Sequence, residues 1–599
     1  MLKTTIYTTS LASLVCLLGL SACGSDRAHG SGEGEGEASA ESVGSVGLAL
    51  ELSPGTRVDA VAFTITGPGG FAKTGSINVA NSKTVATTIG GIPAGDGYSV
   101  TLSASSADGK TSCSGSGTFS VTVHSTSQVM VHLACHEAAR TGSVAVSGSL
   151  NVCPVLDGIS ANPGEVTVGA SLTLSADAHD SDAGPAALSY QWTAIGGVLS
   201  QPTSKTPTFT CTGPGPATLG VTVSDGDATA SCADTGTISV NCSLPGSGNS
   251  SAPMTMAVYG DAPYGTSPTD VAQTNGTPAF IASINADPDV SLVIHVGDIH
   301  SGKQFCTEAY DRQIFGLWSA FQDSLVYTPG DNEWADCHKV AEGGGLYNAA
   351  TDSIAYQLDA AGNPVDYAKG DPIANLDLVR SIFFATPGAT VGMAGKRVVS
   401  QKTYFDAAHP TDANYVENVM WQDAQTLFVT INLPGGGNND DDNWYGTPTK
   451  SEAQAREITE RTGADLRWLD AAFAQASASG ANAVVITAQA DMWDPEKGAA
   501  HQALFEPFVA NIAAHTSAFG KPVLMFNGDS HVYQSHNPLS AADSLAYMHP
   551  GYDVPNFHRI VVHGSTLPVE YLRFTITPGA NAANGPDAFG PFSWNRVIE

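Results

Sequence analysis

Four apolar runs in the C-terminal half of this 599-residue chain end in Gly-Asp: MAVYGD at Asp261, LVIHVGD at Asp298, LVYTPGD at Asp331 and PVLMFNGD at Asp529. A short apolar run that stops at glycine reads as a strand whose backbone turns tightly as it leaves a sheet. Each aspartate then stands at a strand's carboxyl end, where open α/β sheets bind ligands. Other Gly-Asp pairs, at Asp96, Asp227 and Asp371, close no comparable run in this half. Four carboxylates converging at one sheet end point to metal.

The rest of the half supports a layered α/β domain. Strand candidates at 254–260, 292–297, 324–328, 427–433, 483–488, 522–527 and 558–563 alternate with amphipathic stretches near 308–322, 452–477 and 498–518. The pattern upstream is different. Short runs of alternating apolar and polar residues (VGLALEL, VDAVAFTITG, YSVTLSAS, GTFSVTV, QVMVHLAC) predict an antiparallel β-sandwich over 46–137. A second β module is predicted over 142–242, and SLPGSGNSSA at 243–252 reads as a flexible linker to the α/β domain, 253–599. The expected fold class is therefore multidomain: two all-β sandwich modules followed by an α/β layered sandwich.

Net charge is −32, with 25 Lys plus Arg against 57 Asp plus Glu. Such a surface repels polyphosphate backbones and anionic lipid, which argues against nucleic-acid binding as a main role. Lys3 and the apolar stretch Leu11–Leu20 form an export signal over 1–22, too short to span a bilayer as a stable helix. Residues 23–45, rich in Gly, Ser, Glu and Ala, read as a solvated tether. Without Cys16 in the signal and Cys23 at its end, eight of the ten cysteines remain, an even number that fits an oxidising compartment. Cys113 and Cys135 are expected to pair, and Cys306 with Cys337; Cys153, Cys211, Cys232 and Cys242 allow three pairings that sequence does not separate.

Three resemblances follow from particular residues. Leu20-Ser21-Ala22-Cys23 resembles the lipobox of bacterial lipoproteins, which implies a lipid on Cys23 and anchorage to a membrane. Gly24 then points outward, to the outer membrane or cell surface. LSYQW at 188–192 and VTVSDG at 221–226 resemble immunoglobulin-like domains of the PKD type. The order of corners in the α/β domain resembles the calcineurin-like metallophosphoesterases, whose pattern is Asp-x-His, Gly-Asp, Gly-Asn-His-Glu, a lone His and Gly-His-x-His.

That last resemblance implies a two-ion centre and roles for individual residues. Asp261 matches the first aspartate, with Pro263 in place of the histidine, and Asp298 matches the bridging aspartate. Asp331 and Asn332 replace the ligand asparagine and the histidine that assists the leaving group, Gln489 falls at the lone histidine, and Asp529 and His531 end the set. One ion would be held by Asp261, Asp298 and His531, the other by Asp298, Asp331, Asp529 and Gln489. The oxygen-rich second set favours Mg, Mn, Ca or Fe over Zn. Asn332 and His300 are the candidate catalytic residues, His300 as a substitute acid. Asn438 and Asn439 could reach a phosphate, and Asp440, Asp441 and Asp442 could take calcium. The implied activity is hydrolysis of a small phosphoester; the alternative is a non-catalytic surface protein that binds metal or ligand. Oligomeric state is not readable.

Overall fold

The computed structural model describes residues 43–52, 60–78, 84–106, 111–122, 126–137, 151–182, 184–246, 248–580 and 585–598. The predicted export signal, Cys23 and the tether up to residue 42 lie outside them.

The N-terminal strands follow the alternation read in the sequence. Val43–Leu52 pairs with Thr84–Pro93 and Thr126–Glu137, so its first residues belong to a strand and not to the tether. Ala60–Thr66 lies between Ala72–Asn78 and Gly95–Ser105 and buries every second residue, placing Val61, Phe63 and Ile65 in the core. Cys113 and Cys135 face each other across paired strands and are bonded. In the next β module Trp192 fills the core, and Cys153–Cys232 and Cys211–Cys242 resolve the three open pairings. The two β regions are not fully separate: Met130 pairs with Ile159, which carries one sheet into the next. With Cys306–Cys337 there are four disulfides among the described residues, as expected of a protein folded outside the cytoplasm.

The segment predicted as a flexible linker is docked. Leu244 is buried with Met420 and Leu427, and Gly248 exchanges backbone hydrogen bonds with Gln422 and Gln425. Its Gly and Ser content misled because one leucine and a few backbone groups suffice to fix it.

The α/β region is built on two large sheets packed face to face between helices, with a small two-stranded sheet, Gly345–Asn348 and Ser353–Tyr356, beside them. The first runs Ser324–Tyr327, Val290–His295, Met254–Tyr259, Glu570–Ile576, Phe592–Ile598, Ala588–Phe589. The second runs Val399–Ser400, Val419–Asp423, Thr426–Thr430, Ala483–Thr487, Val523–Asn527, Phe557–Val561, Gln534–His536. Between the sheets Met256, Val258 and Ile294 meet Phe428, Val485, Leu524 and Phe526. The outer face of the first sheet packs on helices Ala272–Asn285, Glu308–Trp318 and Pro372–Phe383. That of the second packs on Glu452–Ala478 and Glu506–Phe519. Strands covered on both faces must be apolar throughout, which is why these runs lack alternation. The neighbours Met254–Tyr259, Val290–His295 and Ser324–Tyr327 are parallel, as are Ala483–Thr487 and Val523–Asn527, so their carboxyl ends share one rim.

Candidate metal centre

All four Gly-Asp aspartates stand just beyond strands on that rim. Glycine makes the turn as expected only at Gly297, with φ 108°, while Asp261, Asp298 and Asp529 themselves take left-handed φ angles of 49°, 61° and 71°, with His531 at 62°. Aspartate tolerates this region better than most residues. The preceding glycines mainly serve close approach. A Cβ on Gly330 would collide with the Asp298 carboxylate, and one on Gly528 with that of Asp261. Each of these carboxylates rests on the bare backbone of another corner.

Three donors converge on Asp298 Oδ2: Tyr264 Oη at 2.6 Å, Asn332 Nδ2 at 3.1 Å and Gln489 Nε2 at 3.2 Å. Asp261 Oδ1 accepts from the Asp529 N–H at 3.0 Å and lies 3.4 Å from His531 Nε2, while Oδ2 is buried with no partner. Glu333 ties the second and third corners together, its Oε1 accepting from Tyr327 Oη (2.5 Å), Gly330 N (2.8 Å) and Asp298 N (3.2 Å). Asp491, fixed by Arg559, donates its N–H to Asp529 Oδ2 at 3.0 Å.

Burial, reinforced by the charges of Asp331 and Glu333, raises Asp261 to about 8. Burial and Asp336 raise Asp331 to about 7, and burial with the Asp331 charge holds Asp298 and Asp529 well above the usual carboxylate range. Burial lowers His531 to about 4, leaving its imidazole neutral and able to ligate. One oxygen each from Asp261 and Asp298 and one ring nitrogen of His531 lie within 4.8 Å of one another. This N/O set, with the orphaned Asp261 Oδ2, fits a divalent cation. Tyr264 Oη, 3.3 Å from His531 Nε2, adds a fourth donor.

The second predicted set does not close. Among the described residues no other three acidic or histidine side chains meet in this way. Asp331 and Asp529 do approach a common space, since a Cβ on Gly435 would lie 2.5 Å from Asp331 Oδ2 and 2.9 Å from Asp529 Oδ1. Gln489 stands between Asp331 and Asp298, donating to Asp331 Oδ1 at 3.0 Å while its Oε1 accepts from Gly435 N at 2.5 Å. Both ends of the amide are engaged, so Gln489 orients carboxylates where the resemblance implied a ligand.

His300 is not brought to the centre. Its ring packs edge-on to Tyr310, its Nδ1 bonds the Ser301 carbonyl at 3.2 Å, and burial lowers it to about 4. A neutral, enclosed imidazole replaces the expected acid. Asn438 and Asn439 also turn inward, to Arg461 and Thr462 and to Trp444 and Glu457. Asp440, Asp441 and Asp442 pair with Lys450, His501 and His338 instead of forming a calcium loop. Tyr264, Asp491 and Gly435 escaped the sequence reading. Tyr264 had a usable signal, because it lies in the same corner as Asp261; Asp491 follows Gln489 closely, and Gly435 opens the run GGGNN.

No family model matches the sequence, and no curated protein matches it. Among solved structures, a purple acid phosphatase from yellow lupin (Lupinus luteus) seeds aligns over 89% of this chain and 92% of its own, at 9% identity and a TM-score of 0.27. The D0-D1 domain of intimin covers 33% of this chain and 97% of its own, at 14% identity and a TM-score of 0.14. A central fibronectin-III array of RIM-binding protein covers 34% and 69%, at 9% identity and a TM-score of 0.10. At such TM-scores these likenesses carry no weight, and the functional reading rests on the site itself.

Proposed function

We propose that the α/β region is a metal-dependent hydrolase of small phosphoesters. The observation that carries the reading is the buried Asp261, Asp298 and His531 group at the carboxyl rim, with one carboxylate oxygen left without a partner. A bound divalent ion would supply Lewis acidity toward a phosphoryl oxygen. The chain prepares that position. Tyr264, Asn332 and Gln489 fix Asp298, and the Asp529 N–H turns one oxygen of Asp261 away so that the other stays free. His531, 36% exposed, is the member of the group at the opening. Its neutral ring offers a lone pair without competing for a proton near pH 7.

The proposal includes the setting: an exported protein anchored through a lipid on Cys23, with 46–137 and 142–242 as spacers that hold 253–599 away from the membrane. Export fits the four disulfides. Purified protein is expected to retain a divalent metal and to hydrolyse a simple phosphomonoester or diester, and Asp298→Asn to remove both properties. Metal retained without hydrolysis across a broad panel supports a binding protein instead. Absence of both ends the hydrolase reading.

A further inference from the structure

Phosphoester hydrolysis at this centre needs a proton for the departing oxygen. Asn332 carries no proton of useful acidity, and His300 is enclosed elsewhere. Another acid lies against this gap. Glu342 is 1% exposed, its Oε2 has no hydrogen-bond partner, and among the described residues no Lys or Arg forms an ion pair with it, since Lys339 goes to Asp336 and Asp442. Its Oε1 and Asn332 Oδ1 lie at the same distance, 3.4 Å, from the point a Cβ on Gly302 would occupy. Gly302 belongs to the loop leaving Asp298, so the Glu342 carboxyl and the Asn332 amide border the same point on that loop. The backbone there is pinned. Cys306 N donates to the Glu342 carbonyl at 2.9 Å, and Cys306 is bonded to Cys337.

We propose that Glu342 is the proton donor to the leaving group, an assignment that rests on the phosphoesterase reading. In the step, the oxygen of a water molecule forms a bond to phosphorus and the bond from phosphorus to the ester oxygen breaks, its electron pair staying on the departing oxygen. That oxygen takes the Glu342 proton and leaves as an alcohol. The proton of the water goes to the phosphate product, and the Glu342 carboxylate recovers its own from solvent. Burial, followed by the charge of Asp336, holds this carboxyl well above its ordinary range, so the acid form is available at neutral pH. A buried carboxyl oxygen kept without a partner is otherwise destabilising, and its position at the loop shared with Asn332 gives it a use.

The test compares Glu342→Gln with the wild type on two esters, p-nitrophenyl phosphate, whose phenol leaves without help, and an alkyl phosphate, whose alcohol needs a proton. The alkyl ester is expected to lose roughly 10²- to 10⁴-fold in kcat and the nitrophenyl ester less than about tenfold, with metal content unchanged. Glu342→Asp, which keeps an acid on a shorter arm, is expected to recover part of the alkyl activity and stands in if the Gln variant fails to fold. Equal losses on both esters, or none, overturn the assignment while leaving the hydrolase reading in place. A wild type inactive on both esters overturns the Glu342 role, and inactivity across the broader monoester and diester panel overturns the hydrolase reading with it.

Discussion

The two halves of the carboxylate cluster are built from the same corner type and end in different states. Asp261 and Asp298 meet His531 and leave a buried oxygen unpartnered, whereas Asp331 and Asp529 each have one oxygen taken, by the Gln489 amide and by the Asp491 N–H. The difference lies in what neutralises the charge. The neutral Gln489 amide supplies hydrogen bonds to one carboxylate of each half, Asp298 and Asp331, and where it has done so there is less for a cation to gain. The first half has no such donor for Asp261 Oδ2.

The comparison can be broken most directly at Asp261. Asp261→Asn is expected to abolish metal retention, read by elemental analysis, and to bring hydrolysis to background; retention at the wild-type level would mean that the ion does not sit in the first half. Next comes the amide. Gln489→Ala should weaken metal binding by roughly 10- to 100-fold, as loss of an orienting partner does, measured by chelator competition. Gln489→His should raise the bound metal to about two ions per chain by giving the second half an imidazole donor. An unchanged stoichiometry would show that geometry, not the amide, keeps that half closed.

A smaller effect is expected on stability against pH. Asp261 and Asp331 are raised from 3.8 to about 8 and about 7, so between pH 4 and 8 the folded metal-free protein binds more protons than the unfolded chain. Its stability therefore falls as pH rises through that window, and the gain in Tm from added divalent ion grows over the same range. Melts with and without chelator at pH 5 and pH 8 read this directly; a metal-free Tm that holds or rises would contradict it. The smallest expected effect is Leu244→Ala, which should cost about 2 to 3 kcal/mol in denaturant unfolding if the segment joining the β and α/β regions is docked. No measurable cost would restore the flexible linker.

Much of this was legible in the sequence because the central strands are covered on both faces and so appear as unbroken apolar runs. The strands Ala483–Thr487 and Val523–Asn527 fall almost where expected. The helix Ala272–Asn285 was missed, since AQTNGTPAFIASIN carries Gly276 and Pro278 inside it and its apolar face is short. Glu570–Ile576 and Phe592–Ile598 were also passed over, although Phe592–Ile598 buries Phe592 and Trp594 in alternation. At the site, strand ends located the carboxylates. What sequence could not supply was contact across loops: Tyr264 reaching Asp298, Gln489 spending both ends of its amide, and Glu342 bordering the same point of the Gly302 loop as Asn332.

The seating of the Asp298 and Asp261 carboxylates on Gly330 and Gly528 has a consequence for redesign. A larger residue at either glycine would damage a ligand belonging to a different loop, so the corners cannot be exchanged one at a time. Transplanting a metal preference into this scaffold means moving interlocked pairs of loops together, and a library that varies single corners would sample mostly broken neighbours.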